Sequence, residues 1–246
     1  MSMARAAPHG LLRSALICIL AAALLIGAVA EFCTNQLGLG AAYVPKVLTV
    51  FIVGAALVLF GLPKHHPFGA FGAANQVTLV RGALVALLAG LIREPAEGAL
   101  PALVTAVATG TAVLDGVDGW LARRSGLASA FGARFDMETD ALLILVLAVL
   151  AWQFGKAGSW VWGSGLLRYA FVAAGTLVPA LRQPLPPSQR RKIVAVAQVV
   201  ALIVTVAPFV PAAVSAPLAA VALGALALSF LVDIVWLFAP HEANTC

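Results

Sequence analysis

The feature that most constrains the fold is a series of eight apolar blocks, each about 20 residues long, which is the length at which a helix crosses the hydrocarbon core of a bilayer. Only 10% of the residues are charged, whereas soluble domains carry about 25%. Too few charges therefore exist to cover a water-facing surface. The sequence predicts an all-α, polytopic membrane helical bundle. The predicted spans are 12–31, 43–62, 75–92, 99–121, 133–154, 158–181, 192–210 and 215–238.

Polar residues are unevenly distributed among these blocks. Residues 1–62 contain almost none inside their spans, whereas residues 75–240 contain nearly all of them. We therefore expect residues 1–62 to form an accessory N-terminal transmembrane hairpin. Residues 63–74 would form an interfacial linker, and residues 75–240 would form a six-helix catalytic core.

The basic residues indicate the orientation of the chain. With a cytoplasmic N-terminus, eleven Lys and Arg residues fall on the inner side and three on the outer side, in agreement with the positive-inside rule. The net charge of +5 therefore reports orientation and does not indicate nucleic-acid binding. We expect an integral inner (cell) membrane protein with both termini in the cytoplasm. The inner set is Arg5, Arg13, Lys64, Arg81, Arg123, Arg124, Arg134, Arg182, Arg190, Arg191 and Lys192, and the outer set is Lys46, Arg93 and Lys156.

The first block has a second interpretation. Arg5 and Arg13 precede an apolar run that ends in residues 28–30, Ala-Val-Ala, which resembles a signal-peptide cleavage site. Because the run is longer than most signal cores, we expect it to remain as a span. Its removal would leave seven spans in the same orientation.

Five of the ten acidic residues lie between two apolar stretches, at positions 115–140. Asp115 and Asp118 are three residues apart, so they share one helix face. Asp136 and Asp140 are four residues apart and share a face of the next helix. The segment between the helices is short, so we expect antiparallel neighbours whose carboxylates converge at the cytoplasmic end. Ionisable groups within membrane spans are costly and usually functional.

Four carboxylates in close proximity repel one another unless protons or cations hold them. Oxygen ligands of this kind suit Mg²⁺ or Mn²⁺, and two such ions would clamp a phosphoryl group during its transfer. Gly116, Gly119 and Gly132 would allow a ligand or a neighbouring helix to approach closely. Arg123 and Arg124 add a cationic edge suited to phosphate. Aspartates that only form salt bridges or cap a helix would not require both spacings.

The segment 115–140 resembles the signature of the CDP-alcohol phosphotransferase (CDP-alcohol phosphatidyltransferase) family, D-x2-D-G-x2-A-R-x8-G-x3-D-x3-D, without a departure. Fixed residues at fixed spacing over this length make a chance match improbable. The family has a six-helix core with the signature on its second and third helices, as it falls here when spans are counted from 75–92. The fixed residues are Asp115, Asp118, Gly119, Ala122, Arg123, Gly132, Asp136 and Asp140.

The resemblance implies a role for each matching residue. Asp115, Asp118 and Asp136 would be ligands of two divalent cations, Mg²⁺ or Mn²⁺. Asp140 would complete the ligand set and act as the general base. The start of span 75–92 is similar to the short Asn/Asp-x-x-Thr segment with which the family contacts its CDP-linked substrate. The substrate-binding residues implied in this way are Asn75, Gln76, Val77, Thr78, Gly119, Arg123, Ser129 and Gly132.

Arg168 is a candidate for binding a phosphate of the donor or acceptor. It lies inside span 158–181, where an arginine normally faces a polar cavity or a partner. The alternative is a structural pair with an aspartate or a helix carbonyl.

The start of the seventh span carries further candidates for the acceptor site. Arg190, Arg191 and Lys192 occupy a region where relatives with phosphorylated acceptors often have basic residues, although plain membrane anchoring explains them equally well. The family's Lys-x-Lys pair is incomplete because Val194 occupies its second position, which weakens an assignment to the glycerol-phosphate-using branch. Asp233, in the last span, is expected to lie at the membrane rim.

The resemblance implies a phospholipid-synthesising transferase embedded in membrane lipid, with its active site facing the cytoplasm. It would move a phosphatidyl group from CDP-diacylglycerol to a small alcohol acceptor, free or phosphorylated, such as an inositol or glycerol phosphate, and release CMP. The family further implies a homodimer. Two alternatives are transfer from a small CDP-alcohol to diacylglycerol and, more distantly, an ion-coupled transporter. The chain shows neither the related halves nor the broken helices typical of transporters.

Overall fold

The computed structural model describes residues 8–65, 68–125 and 129–239, except the side chains of residues 8, 9, 63–65, 118, 120–123 and 125. Over these ranges the chain is all-helical, as predicted, and contains no strand. The α-helices are α1 (Pro8–Leu37), α2 (Tyr43–His65), α3 (Ala73–Gly90), α4 (Leu100–Ser125), α5 (Ala130–Gln153), α6 (Gly163–Leu177), α7 (Gln189–Val206) and α8 (Ala212–Phe238).

The α-helices of the described ranges correspond one to one with the predicted spans. Five of them, α1, α2, α3, α4 and α8, are long and apolar enough to cross a membrane. The chain is therefore an integral, multi-pass membrane protein. Helix α6 has only 15 residues, α5 carries several charged residues in its second and third turns, and α7 carries them in its first turn. A membrane crossing by these three helices stays a prediction.

The predicted span 158–181 is not one continuous helix. Two 3-10 helices, Ser159–Trp162 and Pro179–Arg182, lie on either side of α6. Pro179 has no backbone N–H with which to continue the hydrogen-bond ladder of α6, and it clashes with an α-helical residue before it. Val178 accordingly adopts an extended backbone conformation at the C-terminus of α6.

The chain forms two compact units, Met1–Val146 and Leu147–Cys246. In the first unit α1, α2 and α3 pack on one another, and α3 also packs on α4. In the second unit α8 packs on α7 and α6. Many large apolar side chains of α1, α2 and α8 are exposed, as expected for helices that contact lipid acyl chains. The accessory role of residues 1–62 stays a prediction.

Helices α2 and α3 approach closely at Gly90. A Cβ atom at Gly90 would overlap Val47 and lie 2.8 Å from Cε2 of Tyr43. Tyr43 also donates its hydroxyl hydrogen to the carbonyl of Leu87 at 3.2 Å. Small residues at such crossings allow membrane helices to pack closely, so this end of α3 is fixed against the start of α2.

A partly buried ion pair strengthens the same end of the first unit. Nζ of Lys46 lies 2.7 Å from Oε1 of Glu94, a residue that is 7% exposed. Lys46 also donates to the carbonyl of Ile92, and the backbone N–H of Gly40 donates to Oε2 of Glu94. Burial raises the pKa of the Glu94 carboxyl, but the bonds from Lys46 and Gly40 outweigh burial and hold this pKa below its usual range.

Candidate active site

Three of the four predicted aspartates converge in the first unit. Asp115 on α4 and both Asp136 and Asp140 on α5 are half-buried, and one carboxylate oxygen from each lies within 4.8 Å of the others. The predicted convergence is therefore confirmed for these three residues. Asp118 lies one turn after Asp115, but its side chain is outside the described residues.

Arg81 of α3 binds all three of these carboxylates. Its side chain is fully buried, with 0% of the residue exposed. Nη1 lies 2.5 Å from Oδ1 of Asp136, and Nη2 lies 3.0 Å from Oδ1 of Asp115. Nη2 also forms an ion pair with Oδ1 of Asp140. One guanidinium therefore joins side chains from α3, α4 and α5.

Arg81 has a role that the sequence did not reveal. It was counted on the inner side only as evidence for orientation, whereas its guanidinium is buried among carboxylates. The missed signal was its place inside span 75–92, where an ionisable residue is functional by default. Asn75, Thr78 and Arg81 also follow one another at intervals of three, so they share one helix face.

The first turns of α3 and α5 pack against each other. A Cβ atom at Gly132 would lie 2.9 Å from Oδ1 of Asn75, so this glycine permits a close approach. Nδ2 of Asn75 donates to the carbonyl of Phe71 at 2.6 Å, which fixes the orientation of the amide. Oγ of Ser129 accepts a hydrogen bond from the backbone N–H of Gly132 at 3.0 Å. Ser129 is thus the N-cap of α5.

The other predicted substrate-binding residues differ in how deeply they are buried. Thr78 is buried and donates to the carbonyl of Ala74, whereas Gln76 is exposed and Val77 is half-buried. Gly119 is half-buried on α4. The side chain of Arg123 lies outside the part of the chain that is described.

The donor set fits a divalent cation. Carboxylate oxygens are the hard ligands that Mg²⁺ and Mn²⁺ prefer, and oxygens on opposite sides of a Mg²⁺ ion are about 4.2 Å apart. The 4.8 Å limit on the separation of the three carboxylate oxygens lies close to that spacing. The guanidinium of Arg81 already places one positive charge among these carboxylates.

In the second unit, Asp233 of α8 binds two of the predicted acceptor residues. Nη1 of Arg190 donates to the carbonyl oxygen of Ser229 at 2.6 Å and also to Oγ of Ser229. Nη2 of Arg190 forms an ion pair with Oδ1 of Asp233. Nη1 of Arg191 lies 3.2 Å from the same oxygen. Asp233 is only 6% exposed. Its side chain faces the first turn of α7, and its expected place at the membrane rim stays a prediction.

The other predicted phosphate-binding residues of this unit are Lys192 and Arg168. Lys192 is exposed and, together with Arg191, lines a shallow depression formed by residues 187–189. Arg168 is half-buried on α6. A phosphate-binding role for either residue stays a prediction.

Comparison with known proteins supports the identity suggested by the signature. No solved structure matches the chain. A sequence model of the CDP-alcohol phosphatidyltransferase family matches residues 71–234, which is well over half of the chain and includes Arg81, the three convergent aspartates and the Arg190–Asp233 pair. The family is a family of transferases. The chain therefore belongs to the CDP-alcohol phosphatidyltransferase family.

Proposed function

We propose that this protein transfers a phosphatidyl group from CDP-diacylglycerol to a small alcohol and releases CMP. The observation that carries the proposal is the convergence of Asp115, Asp136 and Asp140 inside the family-matched region of a membrane protein. A lipid donor would place its acyl chains in the bilayer beside the exposed apolar helices. Its head group would then reach carboxylates on α4 and α5.

The reaction is a substitution at phosphorus. The hydroxyl oxygen of the acceptor forms a bond to the phosphorus on the lipid side of the pyrophosphate, and the bond from that phosphorus to the CMP oxygen breaks. We assign the hydroxyl proton to Asp140, because a carboxylate within hydrogen-bond reach can act as general base. Arg81 contacts Oδ1 of Asp140, so Oδ2 is the oxygen that we propose as proton acceptor.

Asp115, Asp118, Asp136 and Asp140 would hold two divalent cations, Mg²⁺ or Mn²⁺. When bound, these cations neutralise charge on the pyrophosphate and on the departing CMP.

The first turn of α5 supports an anion-binding role. Its backbone N–H groups and helix dipole favour a negatively charged group near Ser129 and Gly132. We propose that Gly119 and Arg123 contact the nucleotide diphosphate at this place. The segment from Asn75 to Thr78 would cover the cytidine, with the exposed Gln76 available at its surface.

The acceptor could be a phosphorylated or a free alcohol, and charge counting bears on this choice. Asp233 neutralises only one of the two charges of Arg190 and Arg191, and Lys192 adds another. The resulting charge of about +2 would balance one phosphate group, which carries −1.5 to −2. We therefore include phosphorylated alcohols among the acceptors to be tested.

We further propose that the protein lies in the inner membrane as a homodimer, with the carboxylates facing the cytoplasm. The positive-inside count supports this orientation even without Arg81, because ten basic residues still fall on the inner side against three on the outer side. Cysteine accessibility on either side of the membrane would test it.

The decisive experiment uses the purified full chain in lipid nanodiscs. We expect CMP release and a new phospholipid when CDP-diacylglycerol, Mn²⁺ or Mg²⁺ and one member of a panel of free and phosphorylated alcohols are present. Parallel reactions with small CDP-alcohols and diacylglycerol test the reverse choice of lipid substrate. A folded protein that releases no CMP in any arm would overturn the proposed function.

A further inference from the structure

We propose that Arg81 is a positioning residue that assembles the carboxylate cluster and makes its stability largely independent of divalent cations. The inference rests on the proposed function in one respect, since it takes the cluster to be a divalent-cation site. Arg81 itself does not contact the substrate. Arg81 acts through the three aspartates that it binds.

The guanidinium of Arg81 is completely buried. A guanidinium with no exposed surface has lost its hydration, and only carboxylates of good geometry can compensate for that loss. Arg81 obtains three such partners, from Asp115, Asp136 and Asp140. Removal of the guanidinium would leave three carboxylates close together in a half-buried site, where like charges raise one another's energy.

The geometry of the three ion pairs is compatible with cation binding by the same aspartates. Each of the three ion pairs uses the Oδ1 atom of its carboxylate. A carboxylate accepts through both oxygens, so an ion pair with Arg81 does not by itself prevent an aspartate from binding a cation. The planar fork of an arginine suits this arrangement better than a single ammonium group.

Arg81 also changes the net charge at the aspartates that it binds. The three aspartates that Arg81 binds would carry −3 when ionised, and Arg81 would reduce the sum of these charges to −2. A positive charge a few ångströms from the cluster repels a divalent cation. Arg81 therefore lowers the cation affinity of the cluster while it preserves the geometry without cations.

This arrangement predicts a distinctive result for Arg81→Gln. In EDTA the variant should have a lower Tm than the wild type, because the carboxylates repel one another. Mn²⁺ should raise the Tm of the variant at least twice as much as that of the wild type. The Kd for Mn²⁺, measured by electron paramagnetic resonance, should fall by about tenfold because the repelling charge is gone.

Lys46→Met is the matched control, since Lys46 forms a partly buried ion pair with Glu94, just beyond the C-terminus of α3. Its Tm should fall by the same amount in EDTA and in Mn²⁺. If Arg81 had only a structural role, the Tm of Arg81→Gln would likewise fall by the same amount in EDTA and in Mn²⁺. An unchanged or weaker Mn²⁺ affinity in Arg81→Gln would therefore overturn the proposal.

Arg81→Lys covers the case in which Arg81→Gln does not fold. Lysine keeps the charge but cannot span three carboxylates as the guanidinium fork does. We expect a lower Tm in EDTA and a larger rise with Mn²⁺ than in the wild type. An equal rise would contradict the proposal. None of these measurements requires turnover, so a wild type without transfer activity would overturn the proposed function and leave this test intact.

Discussion

Nη1 of Arg81 lies 2.5 Å from Oδ1 of Asp136, although the two residues are 55 positions apart and lie on different helices. This ion pair ties the third turn of α3 to the second turn of α5. Asn75 and Gly132 make a second contact between the same two helices. Helix α3, which carries the predicted substrate-binding segment, is therefore joined to α5 at two places.

Asp140→Asn should abolish transfer while the fold is kept. Asparagine cannot accept the hydroxyl proton, and loss of a general base typically costs about 10²–10⁴-fold in rate. Arg81 would still bind Asp115 and Asp136, so the helices should stay together. The rate of CMP release is the measurement, and binding of CDP-diacylglycerol should be largely retained.

Glu138→Gln is the control for this substitution, because Glu138 is an exposed carboxylate on the same helix only two residues away. It should release CMP at close to the wild-type rate. Normal turnover by Asp140→Asn would exclude Asp140 as the base. Equal losses in both variants would indicate a general charge effect.

Gly132→Ala should destabilise the contact between α3 and α5. The new Cβ atom would lie 2.9 Å from Oδ1 of Asn75, and the bond from Asn75 to the carbonyl of Phe71 prevents the amide from turning away. Overpacking of this kind costs about 1–3 kcal/mol. We expect a lower Tm in detergent and a raised KM for the CDP-linked substrate.

Gly110→Ala tests whether any added methyl group has this effect. Gly110 lies on α4 with nothing within 4 Å of a Cβ atom. Its Tm should stay the same or rise slightly, because alanine favours a helix more than glycine does. If Gly132→Ala matched this control in both Tm and KM, the close packing at Gly132 would be refuted.

The parts of the fold that follow from local pattern were predictable from the sequence. Apolar block length located the helices, and spacings of three and four residues predicted that Asp115, Asp136 and Asp140 converge. The partners of Arg81 and Asp233 were missed, because ion pairs between distant helices leave no local pattern. The break at Pro179 was overlooked because hydropathy alone does not detect a change of backbone conformation.

Asp233→Asn should weaken the packing of α7 on α8. It would leave Arg190 and Arg191 without their shared carboxylate. Breaking a buried pair costs about 3–5 kcal/mol, and we expect about 2 kcal/mol here because the Arg190 side chain is 34% exposed. A fall in Tm checks this expectation. Arg191→Gln removes the 3.2 Å contact with Asp233 and the hydrogen bond to the carbonyl of Pro186, but it leaves the pair between Arg190 and Asp233. It should lower the Tm less, and the opposite order would contradict our account.

The ion pair between Lys46 and Glu94 should make stability depend on pH in acid. The pKa of Glu94 is lowered in the folded protein, so its contribution is fully present above the unfolded pKa of about 4.3. The contribution is lost as the pH falls through the lower folded pKa. Glu94→Gln should therefore have a lower Tm than the wild type at pH 7, and this difference should shrink below about pH 4.

Glu97→Gln is the control for the Glu94 experiment, because Glu97 is an exposed glutamate in the same loop. It should match the wild-type Tm at both pH values. A difference between Glu94→Gln and the wild type that stays constant from pH 7 to acid would show that the carboxylate acts only through packing. A difference that closes in acid identifies the charge of Glu94, held by Lys46 and Gly40, as the source of the stability.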